Sequence, residues 1–125
     1  MSNTYKAMMP YEKLEAWKAC HLLVLAVYTE TRSWPSEERF GLTSQARRAA
    51  VSAATNIAEG VAKRGQKEFR RYLDISLGSL SELSYLLRLA KELGFSTADQ
   101  ANRLSQVREV AGRTTWKLYA AISRL

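Results

Sequence analysis

The chain has 125 residues, 46% of them apolar and 25% charged, which is enough for one core and excludes a disordered chain. Nineteen Lys and Arg stand against twelve Asp and Glu, a net charge of +7, and twelve of the nineteen are Arg. That balance leans toward a polyanionic partner, since arginine contacts phosphate bidentately, although a basic charge also serves solubility. Cys20 is the only cysteine and His21 the only histidine, which excludes an internal disulfide and a cysteine-based zinc site; no metal, cofactor or small-molecule substrate is expected.

Residues 1–10 are expected to form an irregular arm ending at Pro10, ahead of one domain spanning residues 1–125. They lack the apolar stretch of a signal peptide, and the run Leu22 to Tyr28 falls far short of the roughly 20 residues needed to span a bilayer. A cytoplasmic protein without membrane contact is therefore expected. Tyr11 to Thr31 has the composition of a helix, with Leu14, Trp17, His21, Val24, Leu25 and Tyr28 as its inner stripe. On that stripe His21 reads as a packed core imidazole. A second apolar stripe, Ala16, Cys20, Leu23 and Val27, lies nearly opposite. Such a helix is either embedded in one core or covered a second time by a neighbouring subunit, and the subunit contact is expected, because four helices in a small domain leave each with an outside face.

Ser33-Trp34-Pro35-Ser36 breaks the helix, because proline disfavours helix in the residue before it. From Phe40 to Gly60 small residues recur at helical spacing, with Ala46, Ala49, Ala53 and Gly60 on one side. This predicts a central helix that other backbones approach closely, capped at or before Thr43 and ending near Arg64 and Gly65. Gln45, Asn56 and Glu59, with Glu82 of the following helix, are expected to form a hydrogen-bonded network that sets helix register or subunit geometry. Paired carboxylates can also do acid–base chemistry, but no nucleophile or ligand set accompanies them, so no catalytic residue is assigned. Arg47 and Arg48 lie about 17 Å from Glu59 along one helix. They are surface arginines or one side of an intersubunit ion pair.

Gln66 to Leu93 carries a heptad seam of Phe69, Leu73, Ser76, Leu80, Leu83, Leu87 and Ala90. A parallel stripe that includes Tyr72, Ser79 and Leu86 makes this apolar face wide as well, and Leu86 is assigned to the subunit contact. Ser76, Gly78 and Ser79 suggest a close crossing with the central helix. Gly94 stops this helix, Ser96 to Asp99 resembles an N-cap, and the last helix has Leu104, Val107, Ala111, Thr114, Leu118, Ala121 and Leu125 inward. The fold class that follows is all-α, an antiparallel up-down-up-down four-helix bundle.

The densest charge lies at the junction of the second and third helices: Lys63, Arg64, Lys67, Arg70 and Arg71 against Glu68. The helix dipole favours the first two but opposes the last three, by about 0.3–1 kcal/mol each, and Asp74 offsets only part of that. Phosphate is the natural compensating ligand; the competing reading is a solvated charged turn. Trp116 and Tyr119, beside Gly112 on the last helix, suit either base stacking or burial against a neighbouring subunit, and the subunit contact is preferred.

Three runs carry a resemblance: Phe40-Gly41-Leu42-Thr43-Ser44-Gln45, Arg48-Ala49-Ala50-Val51-Ser52 and Asn56-Ile57-Ala58-Glu59-Gly60. With Phe69, Leu73, Gly78-Ser79-Leu80, Glu82-Leu83 and Leu86, they resemble the bacterial four-helix-bundle family encoded in intervening sequences of large-subunit ribosomal RNA genes. Many relatives have Ile-Pro where this chain has Ala53-Ala54, so a proline kink is not carried over. The resemblance implies an antiparallel bundle that assembles as a homopentamer, and a distant relation to accessory proteins of diversity-generating retroelements. It supplies no catalytic residue. The function expected is a non-enzymatic homo-oligomer whose basic surface binds structured RNA or another nucleic acid. The alternative is an adaptor docking an acidic protein such as a reverse transcriptase or polymerase.

Overall fold

The computed structural model describes residues 8–125; residues 1–7, most of the expected arm, lie outside them. Pro10 opens a 3-10 turn, Pro10–Lys13, and Leu14 stays extended, so the first helix, α1 (Glu15–Thr31), starts later than its composition suggests. A second 3-10 turn, Ser36–Glu38, leads to α2 (Leu42–Ala62), and α3 (Gln66–Glu92) and α4 (Ala98–Ser123) follow. No strand occurs among the described residues.

The helix ends have local causes. The Glu38 carboxylate accepts the Leu42 N–H at 3.0 Å, so α2 is capped from the preceding turn and not by Thr43, which is buried. Gly65 and Gly94, with φ of +84° and +80°, take left-handed conformations that a Cβ would resist, and they make the two sharp reversals around α3. Thr97 and Gln100 form a capping box, each side chain accepting the other's backbone N–H, at 3.1 and 2.9 Å.

Each helix packs on its chain neighbours, and α1 closes the ring against α4. Along α2 and α3 the contacts run in opposite senses: Ser52 meets Ser79, Ala53 meets Ser76, and Gly60 meets Tyr72. Along α1 and α4, Cys20 meets Thr115 and Glu30 meets Ser96. The result is a four-helix bundle with antiparallel neighbours. Its core joins the alanine face of α2 (Ala46, Ala49, Ala50, Ala53 and Ile57) to Leu73, Leu80 and Leu83 of α3. The break after α1 serves as a latch: buried Trp34 donates through Nε1 to Ser96 Oγ, which in turn donates to Glu30.

Cys20, Leu23 and Val27 are 0% exposed and Leu86 is 4%, so all four belong to the protomer's own core and offer nothing to a neighbour. On α1 the two stripes are exchanged. The narrow stripe of smaller residues points at the bundle axis, while His21, Leu25 and Tyr28 are exposed and Trp17 and Val24 are half-buried at the α1/α2 groove. Periodicity finds both stripes of a doubly apolar helix but does not say which faces the axis. His21 is thus no core imidazole; it stacks on Trp17 with ring centroids 4.9 Å apart. On α4, Thr115 is buried in place of Thr114, its hydroxyl sharing a 3.6 Å hydrogen bond with Cys20, while Leu118 stays on the core and Leu125 is exposed.

Within the protomer the polar network expected to set helix register does not form. Gln45, Glu59 and Glu82 are exposed, and Asn56 instead donates to the Ser52 carbonyl at 2.8 Å and to Ser52 Oγ at 3.1 Å. Ser52 shares a 2.8 Å hydrogen bond with Ser79, and buried Ser76 donates to the Ala53 carbonyl at 2.8 Å. Serines therefore hold the α2/α3 crossing, as the small residues of α3 suggested, except that Gly78 faces outward. Arg47 is used within the chain, donating to Thr31 Oγ1 at 2.9 Å and lying over the Tyr28 ring, while Arg48 is exposed.

Burial raises the Cys20 thiol from 9.0 to about 11, more than its hydrogen bond to Thr115 lowers it. At pH 8 Cys20 is expected to resist a thiol-alkylating reagent in the native protein and to react once urea unfolds it, as mass spectrometry will register. Because the folded pKa lies above the unfolded one, the stabilising effect of the buried neutral thiol is complete below pH 9 and fades as pH rises toward 11.

Candidate nucleic-acid interface

After Ala62 the chain leaves α2 with Lys63 extended, and Gly65 directs it into α3. So short a turn forces the last residues of α2 and the first of α3 together. Lys63, Arg64, Lys67 and Arg71 are exposed there and Arg70 is half-buried. Five cations thus crowd one corner of the bundle.

Tyr72 organises two of them. The Arg71 guanidinium lies 4.8 Å and the Lys63 ammonium 5.5 Å from its ring centroid, so the ring braces a cation from each helix. The ring is placed by the close contact of α2 and α3: a Cβ on Gly60 would lie 2.7 Å from Tyr72 Cβ. Glu68 pairs with Arg71 at 3.2 Å, and this pair, not one with Asp74, offsets part of the dipole penalty. Being exposed, it is worth about 0–1 kcal/mol at most. Arg64, Lys67 and Arg70 have no carboxylate within ion-pair distance among the described residues.

The structure therefore brings together the five cations chosen from sequence and adds Tyr72, which the apolar stripe of α3 registered only as packing. Trp116 and Tyr119 remain adjacent, with ring centroids 5.5 Å apart. They differ in exposure: Trp116 stands 58% open, whereas Tyr119 is half-buried against the core. Arg113, which adjoins them, is held by Glu109 at 2.8 Å. No group of three His, Cys, Asp or Glu that could hold a metal occurs among the described residues, and no helix is long and apolar enough to cross a membrane.

The family model described as 23S rRNA-intervening sequence protein matches residues 12–115. The chain belongs to that family. The match takes in all of α1, α2 and α3, so the basic turn lies within the family's extent, while Trp116 and Tyr119 lie beyond it. No curated protein matches the chain.

Proposed function

We propose that this chain is a non-enzymatic, cytoplasmic RNA-binding bundle that grips the phosphate backbone of structured RNA at the α2–α3 turn. The observation that carries the reading is the crowding of Lys63, Arg64, Lys67, Arg70 and Arg71 around one carboxylate, Glu68, at a helix start whose dipole already disfavours three of them. Such an arrangement is strained by self-repulsion and relieved by a polyanion. The family's description, which ties it to intervening sequences of 23S rRNA, favours RNA over other polyanions.

The second half of the proposal is self-association, as a pentamer by family resemblance. Leu22 and Leu25 on the outward side of α1 are 61% and 52% exposed, which supports their being covered by further copies. Assembly would gather several basic turns and multiply the attraction for a phosphate chain.

Electrophoretic mobility shifts with ribosomal RNA fragments over a salt series test the first half. Wild-type affinity is expected to fall steeply with salt, and Lys67→Gln, Arg70→Gln and Arg71→Gln together to flatten the log–log slope by about two to three per protomer. Binding that is absent, or indifferent to salt, would instead favour an acidic protein as the partner of this turn.

A further inference from the structure

Between the C-terminal third of α3 and the N-terminal half of α4 the bundle leaves a cleft of about 490 Å³. The grooves beside α1 are lined mainly by apolar side chains, but this one is lined by Arg88, Lys91 and Arg108, with Asn102, Ser84 and Ser105 between them. Glu92 is its one acidic side chain. The cleft is therefore concave, net positive and rich in neutral hydrogen-bonding groups.

Arg108 is the informative residue. The residue as a whole is half-buried, and its one hydrogen bond among the described residues is a long one, 3.5 Å to the Leu80 carbonyl. No carboxylate pairs with it. Gly112, one turn further on, leaves it room, since a Cβ there would sit 3.4 Å from Nη1. A guanidinium with one long hydrogen bond and no counter-charge keeps most of its five donors for an outside acceptor. Lys91 likewise has no ion-pair partner among the described residues, and Arg88 is held only by the exposed Glu92 at 2.9 Å. A fork of guanidinium donors, an ammonium, and amide and hydroxyl donors in one hollow is the chemistry that recognises phosphate.

We propose that this cleft binds a phosphate-bearing ligand held by Lys91 and by Arg108 once its guanidinium turns from the Leu80 carbonyl, and reached by Arg88 once Glu92 gives way. The cleft is separate from the basic turn: Lys67 and Arg88 lie about 30 Å apart along α3. The phosphate comes either from a small molecule such as a nucleoside diphosphate or from a nucleic-acid backbone.

Calorimetry on the full chain with inorganic pyrophosphate and with adenosine diphosphate, and fluorescence anisotropy with a labelled single-stranded RNA oligomer, separate the two sources. For a small ligand, either phosphate probe binds below about 1 mM, and Arg108→Gln and Lys91→Gln each weaken it about tenfold. Glu92→Gln, by freeing Arg88, tightens it about threefold, a gain that misfolding does not produce. Substituting Lys67, Arg70 and Arg71 with Gln leaves small-probe binding unchanged, so failure of the turn and failure of the cleft are read separately. For a backbone phosphate, neither small probe binds, but Lys91→Gln and Arg108→Gln each lower oligomer affinity about threefold at fixed salt. If neither phosphate probe nor oligomer responds to the Arg108 and Lys91 substitutions, the proposal is overturned.

Discussion

Leu23→Ala is expected to lower the free energy of unfolding by about 3 kcal/mol, within the range of about 2–5 kcal/mol that emptying a packed leucine site costs. Leu23 is 0% exposed and sits between Cys20 and Val27 on the seam that faces the bundle axis, where α2 and α4 leave little freedom to close a void. Urea denaturation followed by circular dichroism measures the loss. The adjacent Leu22→Ala removes the same atoms from a side chain that is 61% exposed, and it is expected to change stability by no more than about 0.5 kcal/mol. The two substitutions thus separate core from surface on one helix. If copies of the chain cover the outward side of α1, Leu22→Ala lowers the mass seen by light scattering at micromolar concentration while Leu23→Ala acts on folding. A Leu23→Ala cost below about 1 kcal/mol, or one that varies with protein concentration, would show that Leu23 is an assembly residue after all.

Gly60→Val is expected to cost about 3 kcal/mol or more, at the upper end of overpacking penalties. A Cβ built on Gly60 would stand 2.7 Å from Tyr72 Cβ, 3.1 Å from a Phe69 ring carbon and 3.5 Å from the Phe69 carbonyl. Tyr72 Cβ is fixed by its backbone, so no rotamer change removes the clash and α2 and α3 must separate. Gly60→Ala sets this against helix propensity, which by itself favours Ala over Gly by about 1 kcal/mol. The clash is expected to win and leave a net loss. Gly78→Ala is the matched control on α3: nothing lies within 4 Å of its Cβ, so the propensity gain of about 0.5–1 kcal/mol should appear undiminished. Opposite signs for Gly60→Ala and Gly78→Ala in thermal denaturation are the expected result. A stabilising Gly60→Ala would remove the close approach from the account. The consequence reaches the basic turn, because Tyr72 braces Lys63 and Arg71; parting the helices at Gly60 should also weaken any RNA complex made there.

The candidate site was legible to the extent that it is local. Lys63, Arg64, Lys67, Arg70 and Arg71 are near neighbours in the chain around Gly65, so any fold that turns there brings them together. The brace on Tyr72 was not legible, because it depends on how near α2 comes to α3. The α3/α4 cleft was less so: Lys91 and Arg108 are far apart in the chain, and each looks like an ordinary surface cation until the helices are packed. The serine contacts at the α2/α3 crossing escaped for the same reason. Asn56 and Glu59 stand out in the sequence as polar residues among alanines, whereas Ser76 and Ser79 mark a close crossing by their size and give no sign of the hydrogen bonds they make there with Ala53 and Ser52.

Four helices, their breaks at Pro35, Gly65 and Gly94, and their alternating directions follow from the chain alone, because periodicity, capping chemistry and short connections are properties of nearby residues. What only the tertiary structure decided is which of two apolar stripes on α1 meets the axis, and with it the assignment of Cys20, Leu23 and Val27 to the core instead of a subunit contact, as well as that of Leu86 on α3. The physical reason is that hydrophobicity sets how much surface must leave water but not the rotation of a helix about its own axis. That rotation is settled by fit: the seam of Ala16, Cys20, Leu23 and Val27 sits close against its neighbours, while the bulk of Trp17 and Tyr28 is accommodated only at the flank of the bundle.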